Sequence, residues 1–209
     1  MFVKAIKISK EAMFPIFSWK DHGNNKADIG ILGTGFFINS SGYFVSVAHA
    51  FDSVDKNTQL FFYGRLPEQL QNPRLSIKEI ARNDDLDIFV GKIEIESPIH
   101  FNLAEDTPAD GCSVCIGGYP FTKISQNPKG ILEVDARRYF QPSFVLDKLF
   151  MNSKSESGKT RRHDGFLIRD AGLFGMSGGP IFDREGAVVG IQGSVYIRES
   201  KNNKDKIIP

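Results

Sequence analysis

The chain has 209 residues, with 26 Lys plus Arg against 25 Asp plus Glu and a formal net charge of +1. That balance leaves no basic footprint for nucleic acid and no preference for an anionic membrane surface. Hydrophobic residues make up 41%, and 18 Phe against 1 Trp and 5 Tyr point to a substantial, Phe-rich core rather than a disordered chain.

In chain order, the N-terminal MFVKAIKISKEAMFPIF is interrupted by Lys4, Lys7, Lys10 and Glu11 and holds no apolar run of signal-peptide quality. No stretch approaches the roughly 20 apolar residues that span a bilayer, so the expectation is a soluble, cytoplasmic protein. Segments 12–18, 30–38 and 42–48 are rich in β-branched, aromatic and Gly residues and read as strands, with a tight turn at SSG, 40–42. Further strands are expected at 58–63, 75–82, 86–94, 112–116, 131–140, 165–169, 180–183 and 187–192, separated by turn clusters such as NDD and DREG. One helical turn fits 50–55, and FVLDKLFM at 144–151 reads as helical. The polar stretch 152–164 reads as a mobile surface loop, and 198–209 as a polar tail. This density of short strands predicts an all-β barrel or sandwich.

The two cysteines, Cys112 and Cys115, stand as CSVC. In a strand, side chains three apart point to opposite faces, so neither a disulfide nor shared metal ligation is easy. With no second CxxC or His pair to complete a zinc site, the expectation is two buried or half-buried thiols in a reducing compartment, with no metal and no cofactor.

The chemistry begins at GMSGGPIF, 175–182. A serine hydroxyl becomes a useful nucleophile only when a base removes its proton and N–H donors face the developing oxyanion. Gly175 permits the unusual backbone that turns its N–H inward, and Ser177 supplies the second N–H. Of the four histidines, His22, His100 and His163 read as surface residues. His49 follows the apolar strand of FVSVAHAF, where rigid structure can hold an imidazole. The carboxylate that orients a base has to be buried beside it. DDLDIFVGKI offers Asp84, Asp85 and Asp87, and Asp87 abuts the apolar run. Asp84 and Asp85 read as a solvated turn. The resulting order is His, Asp, Ser, which differs from that of subtilisins and α/β-hydrolases.

These stretches resemble the trypsin-like serine protease family, and most of all the protease domain of bacterial high-temperature-requirement (Deg-type) proteases. The matching segments are GTGFFINSSGYFVSVAHAF, IKEIARNDDLDIFVGKI, GCSVCIGGYPF and FLIRDAGLFGMSGGPIFDREGAVVGIQG, in family order over about 30–193. The resemblance implies a chymotrypsin-like fold: two six-stranded antiparallel β-barrels with the site in the cleft between them. It divides a single domain, 1–197, into an N-terminal barrel near 12–105 and a C-terminal barrel near 110–197. It implies His49 as base, Asp87 as orienter, Ser177 as nucleophile, and the Gly175 and Ser177 N–H groups as oxyanion hole. The partner implied is a protein or peptide substrate.

Departures from the family matter as much. Trypsins carry a Cys after the catalytic His, and here Ala50 stands there. They carry an Asp before the Ser that pairs with a freed N-terminus, and here it is Met176, so activation by N-terminal cleavage is not expected. Met176 either packs the oxyanion loop or holds it in an inactive form, which leaves a catalytically silent binding module as the alternative to an active endopeptidase. No PDZ-like module fits after 193, so substrate capture by one is not expected in this chain. Counting back from Ser177 places Ala171 at the base of the S1 pocket, with Gly193 and Ser194 on its wall, which favours small or medium apolar P1 residues. A one-residue shift would instead place Asp170 there and favour Arg or Lys, with the Lys159, Arg161 and Arg162 segment as a nicking site.

Overall fold

The computed structural model describes residues 2–23, 26–55, 57–63, 74–96, 98–126, 132–154, 160–199 and 204–208. Helix α1 (Val3–Ala12) opens the chain and buries Ala5, Ser9 and Ala12, one face at helical spacing. It went unread in the sequence because that face is built of small residues, while Val3 and Ile8 point to solvent at 59% and 45% exposure.

Strands β1 (Met13–Gly23), β2 (Lys26–Phe37), β3 (Tyr43–Ser46), β4 (Thr58–Tyr63), β5 (Arg74–Asn83) and β6 (Ile88–Ile93) follow. They close into a six-stranded antiparallel barrel in the order β1-β2-β3-β6-β5-β4. Its interior is aromatic, with Phe14, Phe37, Phe44, Phe51 and Phe89 packed together. The expected turn at 40–42 is present, with Gly42 in the left-handed region at φ +80°.

The second half comprises β7 (Ser113–Gly118), β8 (Lys123–Gln126), β9 (Leu132–Asp135), β10 (Tyr139–Lys154), β11 (Thr160–Ile168), β12 (Pro180–Phe182) and β13 (Val188–Ile191). Among the described residues its main sheet has five strands, β11-β10-β7-β12-β13, with β8-β9 as a separate ribbon. The architecture is therefore the expected two-barrel one, with a closed first barrel and a half-barrel second one. The chain ends in β14 (Val195–Glu199) paired with β15 (Lys204–Ile208), so much of the expected polar tail forms a ribbon.

Three local expectations are corrected. FVLDKLFM is not helical but part of β10, paired with β7 on one side and β11 on the other. It carries apolar groups on both faces, Val145 inward and Phe144, Leu146 and Phe150 outward, so the period of two was hidden. Residues 152–154 and 160–164 extend the β10–β11 hairpin instead of forming a loop, while Lys159 lies outside the described residues. The single strand expected at 131–140 is split between β9 and the start of β10.

The two halves share a core of Phe2, Ala5, Met13, Phe36, Val45, Phe101, Cys115, Tyr119, Phe182 and Val188. Phe182 lies at its centre, edge-on to Phe2 at 6.2 Å and tilted against Phe101 at 5.8 Å. This packing fixes the position of β12, and so of the residues just before it, relative to the first barrel. No helix among the described residues is long and apolar enough to cross a membrane.

Candidate active site

His49 opens a short 3-10 turn, His49–Phe51, at the end of β3. Asp87 sits two residues before Phe89 of β6. Phe51 and Phe89 stack at 3.9 Å with 17° between their planes, so the turn carrying the histidine is packed on the strand carrying the aspartate. A stacked pair of this kind contributes ~0.5–1.5 kcal/mol beyond its buried area. Asp87 takes a left-handed backbone, φ +57°, a conformation Asp tolerates better than most residues. Its carboxylate then reaches back to the histidine with both oxygens.

The His49 backbone N–H donates to Asp87 Oδ1 at 2.8 Å, and His49 Nδ1 lies 2.7 Å from Asp87 Oδ2. The Asp87 carbonyl also accepts the Ala48 N–H at 3.2 Å. The side chains are 13% and 8% exposed, so the pair is shielded from water. A carboxylate oxygen accepts, so Nδ1 is the donor in this contact and Nε2 is the ring nitrogen on the far side of it. Asp84 behaves differently: it is bound by Arg82 Nε at 2.6 Å on the surface, as expected for a turn residue.

The GMSGG segment approaches from the second half. Gly175 has φ +92°, a conformation that favours glycine. Met176 is fully buried among Val114, Ile116, Val145 and Ile181, so it packs the loop into the second half-barrel. Ser177 is half-buried, and its carbonyl accepts the Thr34 N–H of β2 at 2.8 Å. A Cβ built on Gly33 would lie 2.6 Å from that carbonyl oxygen and 3.8 Å from Ala50 Cβ, which places the serine backbone next to the histidine turn. Gly178 admits no side chain: a Cβ there would stand 2.1 Å from Ser46 Oγ and 2.3 Å from the Thr34 carbonyl oxygen. Among the described residues, no backbone acceptor takes the Gly175 or Ser177 N–H.

The expected pocket residues also converge. Asp170, Ala171, Gly172, Gln192, Gly193 and Ser194 line one cavity of about 430 Å³ beside Asp87. The Gly178 N–H donates to the Gln192 carbonyl at 2.8 Å and the Gln192 N–H donates to the Gly179 carbonyl at 2.9 Å, which ties the cavity wall to the serine loop. A Cβ on Gly193 would lie 3.9 Å from Asp87 Oδ2. Asp170 is ion-paired with Arg169 at 2.8 Å. The hydrogen bond from Arg169, reinforced by Ser143, holds its carboxyl below the usual aspartate range. Its charge is thus already countered.

Sequence reasoning missed three residues here. Thr34 and Ser46 lie inside GTGFFINSSGYFVSVAHAF, where the sequence marks them only as strand positions. Gln192, 6% exposed, sets its carboxamide where a Gly172 side chain would stand, with Cδ at 2.6 Å from that position. A polar residue within a strand that reads as core was the available signal for all three. Of the two thiols, Cys115 is buried as expected, but Cys112 is exposed because it precedes β7 instead of lying within it.

The trypsin-like peptidase domain model matches residues 33–191. The chain belongs to the trypsin-like peptidase family. Among solved structures it is similar to the active form of the Rv3671c protease of M. tuberculosis (TM-score 0.65, 17% identity, covering 98% of this chain and 78% of that one). It is also similar to the HtrA-type protease AlgW with a tripeptide (TM-score 0.64, 16% identity, 100% of this chain and 60% of that one). A third similar structure is Deg5 (TM-score 0.64, 15% identity, 90% and 82%). This chain thus spans well under the full length of AlgW. No curated protein sequence matches it.

Proposed function

We propose that this trypsin-like peptidase domain is an active serine endopeptidase that works through an acyl-enzyme on Ser177. The observation that carries the reading is the two-point grip of Asp87 on His49, at 2.8 and 2.7 Å, on a turn whose neighbour Gly33 has Ala50 on one side and the Ser177 carbonyl on the other. In the first step Nε2 takes the Ser177 Oγ proton as Oγ bonds to the scissile carbonyl carbon. The electron pair displaced from the carbonyl resides on the oxyanion, toward which the Gly175 and Ser177 N–H groups are assigned. Collapse breaks the C–N bond, and the imidazolium gives its proton to the departing amine. Water then repeats the sequence, bonding to the acyl carbon and restoring Ser177.

The S1 site is assigned to the cavity lined by Ala171, Gly193 and Ser194, with small or medium apolar P1 residues preferred. Support comes from Asp170, whose carboxylate is committed to Arg169 and so is a poor anchor for a basic P1 side chain. The substrate class is protein or peptide, with few targets in a regulatory or stress role. Two free thiols, Cys112 and Cys115, are in keeping with a reducing, intracellular setting.

The test is labelling with a fluorophosphonate probe. The wild type should label, and Ser177→Ala and His49→Ala should not. Absence of Ser177-dependent labelling across pH would refute the reading. A peptide-library profile with cleavage only after Arg or Lys would overturn the pocket assignment.

A further inference from the structure

Thr34 is fully buried in β2, 0% exposed, and every polar group it has is used outside its own strand ladder. Its register partner across β1–β2 is Pro15, which has no N–H to donate. The ladder also carries an irregularity next to Thr34, between Ile16 and Phe17 of β1, opposite Gly33 and Ile31. Bulges of this kind re-aim backbone groups away from regular pairing. The Thr34 N–H donates to the Ser177 carbonyl at 2.8 Å, and its hydroxyl donates to the Gly175 carbonyl at 2.9 Å. The same hydroxyl accepts the Tyr119 N–H at 3.2 Å, and the Thr34 carbonyl accepts Ser46 Oγ at 2.8 Å. Tyr119 in turn backs the loop, because its carbonyl oxygen lies 2.9 Å from where a Gly175 Cβ would be.

The two residues whose N–H groups are assigned to the oxyanion are therefore the two whose carbonyls Thr34 holds. We infer that Thr34 is a positioning residue for acyl transfer: this one residue of the first barrel pins Ser177 through its backbone N–H and Gly175 through its hydroxyl, so that the N–H groups of both are presented together. This rests on the proposed peptidase reading. Ser46 supports the clamp from behind by fixing the Thr34 carbonyl, and the absence of a side chain at Gly178 lets the loop come close enough for the bonds to form. A hydroxyl is required at position 34 because the group has to donate to one backbone carbonyl and accept from one backbone N–H at once. Valine has the same shape and can do neither.

The experiment compares Thr34→Val with Thr34→Ser in the full chain. Loss of a buried clamp on the oxyanion loop is expected to lower kcat by ~10–100-fold while KM changes by less than ~3-fold, since the interaction matters mainly in the transition state. Thr34→Ser should restore kcat to within ~3-fold of the wild type, because the donor and acceptor remain. Amide hydrogen exchange supplies a readout independent of turnover. Exchange should accelerate in 173–178 and 117–121 of Thr34→Val, and remain unchanged in β4, β5 and β6. Thr34→Cys, which keeps a side chain of similar size with a much weaker donor, replaces the valine variant if that one does not fold. Unchanged exchange in 173–178, or a serine variant as slow as the valine or cysteine one, would overturn the inference. The exchange difference between Thr34→Val and the wild type, found together with a wild type that has no Ser177-dependent turnover, would instead overturn the enzyme reading, leaving Thr34 a structural clamp only.

Discussion

Met176 offers the sharpest test of how the serine loop is held. Its side chain is fully buried and packs on Val114 and Ile116 of β7, Val145 of β10 and Ile181 of β12. Met176→Ala removes three heavy atoms beyond Cβ. At ~0.8 kcal/mol for each buried methylene-sized group the transfer loss is about 2 kcal/mol. The cavity left behind raises the total to ~3 kcal/mol, inside the ~2–5 kcal/mol range for Met→Ala in a core. For a protein of this size that corresponds to a fall in Tm of ~6–12 °C. The loss falls on the loop, because Met176 lies between Gly175 and Ser177. Fluorophosphonate labelling of Ser177 should slow at temperatures where the protein is still folded. Met176→Leu, which conserves volume, should stay within ~1.5 kcal/mol of the wild type. Calorimetry and labelling rates read the two effects separately. A Met176→Ala protein with Tm within ~1 °C of the wild type would refute the packing argument itself. One that melts lower but labels at the wild-type rate would show that the loop does not depend on this anchor.

Two other outcomes follow from the same contacts. Gly178→Ala combines φ +82° with overlap on Ser46 Oγ at 2.1 Å and the Thr34 carbonyl at 2.3 Å, and one of these neighbours is backbone. Urea unfolding should show a loss of more than ~2 kcal/mol, and an unchanged midpoint would mean that the close approach is not real. Burial pushes the Cys115 thiol up to about 12, so the thiolate that reacts with disulfide reagents forms only near or above that pH. Native protein titrated with such a reagent at pH 8 should therefore modify Cys112 and spare Cys115 until it is unfolded. Two equivalents taken up rapidly by folded protein would contradict the buried position in β7.

Much of the candidate site was legible because each residue proposed for the chemistry sits at a change of pattern. His49 ends an apolar strand, Asp87 begins one, and Ser177 lies in a glycine run that only a close backbone approach explains. The order of the three then limited the fold to one topology among those that use such residues. What escaped had a weaker physical signature. Helix α1 buries alanines and a serine, so its face carries no strong hydrophobic period. β10 is apolar on both sides, so its alternation was invisible and its spacing imitated a helix. Thr34 and Ser46 are small polar residues inside strands, where a sequence gives β-propensity but not the identity of the partner 141 residues away that Thr34 binds. Gln192 carries the same polar-in-core signal, but its partner, the facing Gly172, is not named by the sequence.

Met176 and Thr34 together answer the question that the loss of the trypsin-type Asp raises. In trypsins the loop before the serine is held by an ion pair with a freed N-terminus. Here the residue that would make that pair is apolar and is sunk into the second half-barrel, while the carbonyls on either side of it are held by β2 of the first barrel. Three consecutive residues are thus anchored alternately, Gly175 and Ser177 on one half and Met176 on the other. Neither anchor needs a terminal charge. Both need the two halves to keep their mutual position, which the shared Phe2, Phe36, Phe101 and Phe182 packing provides. The geometry of the Gly175–Ser177 loop is therefore a property of the packed junction. A change that loosens that junction, even far from His49 and Ser177, acts on the same loop as a change in Thr34.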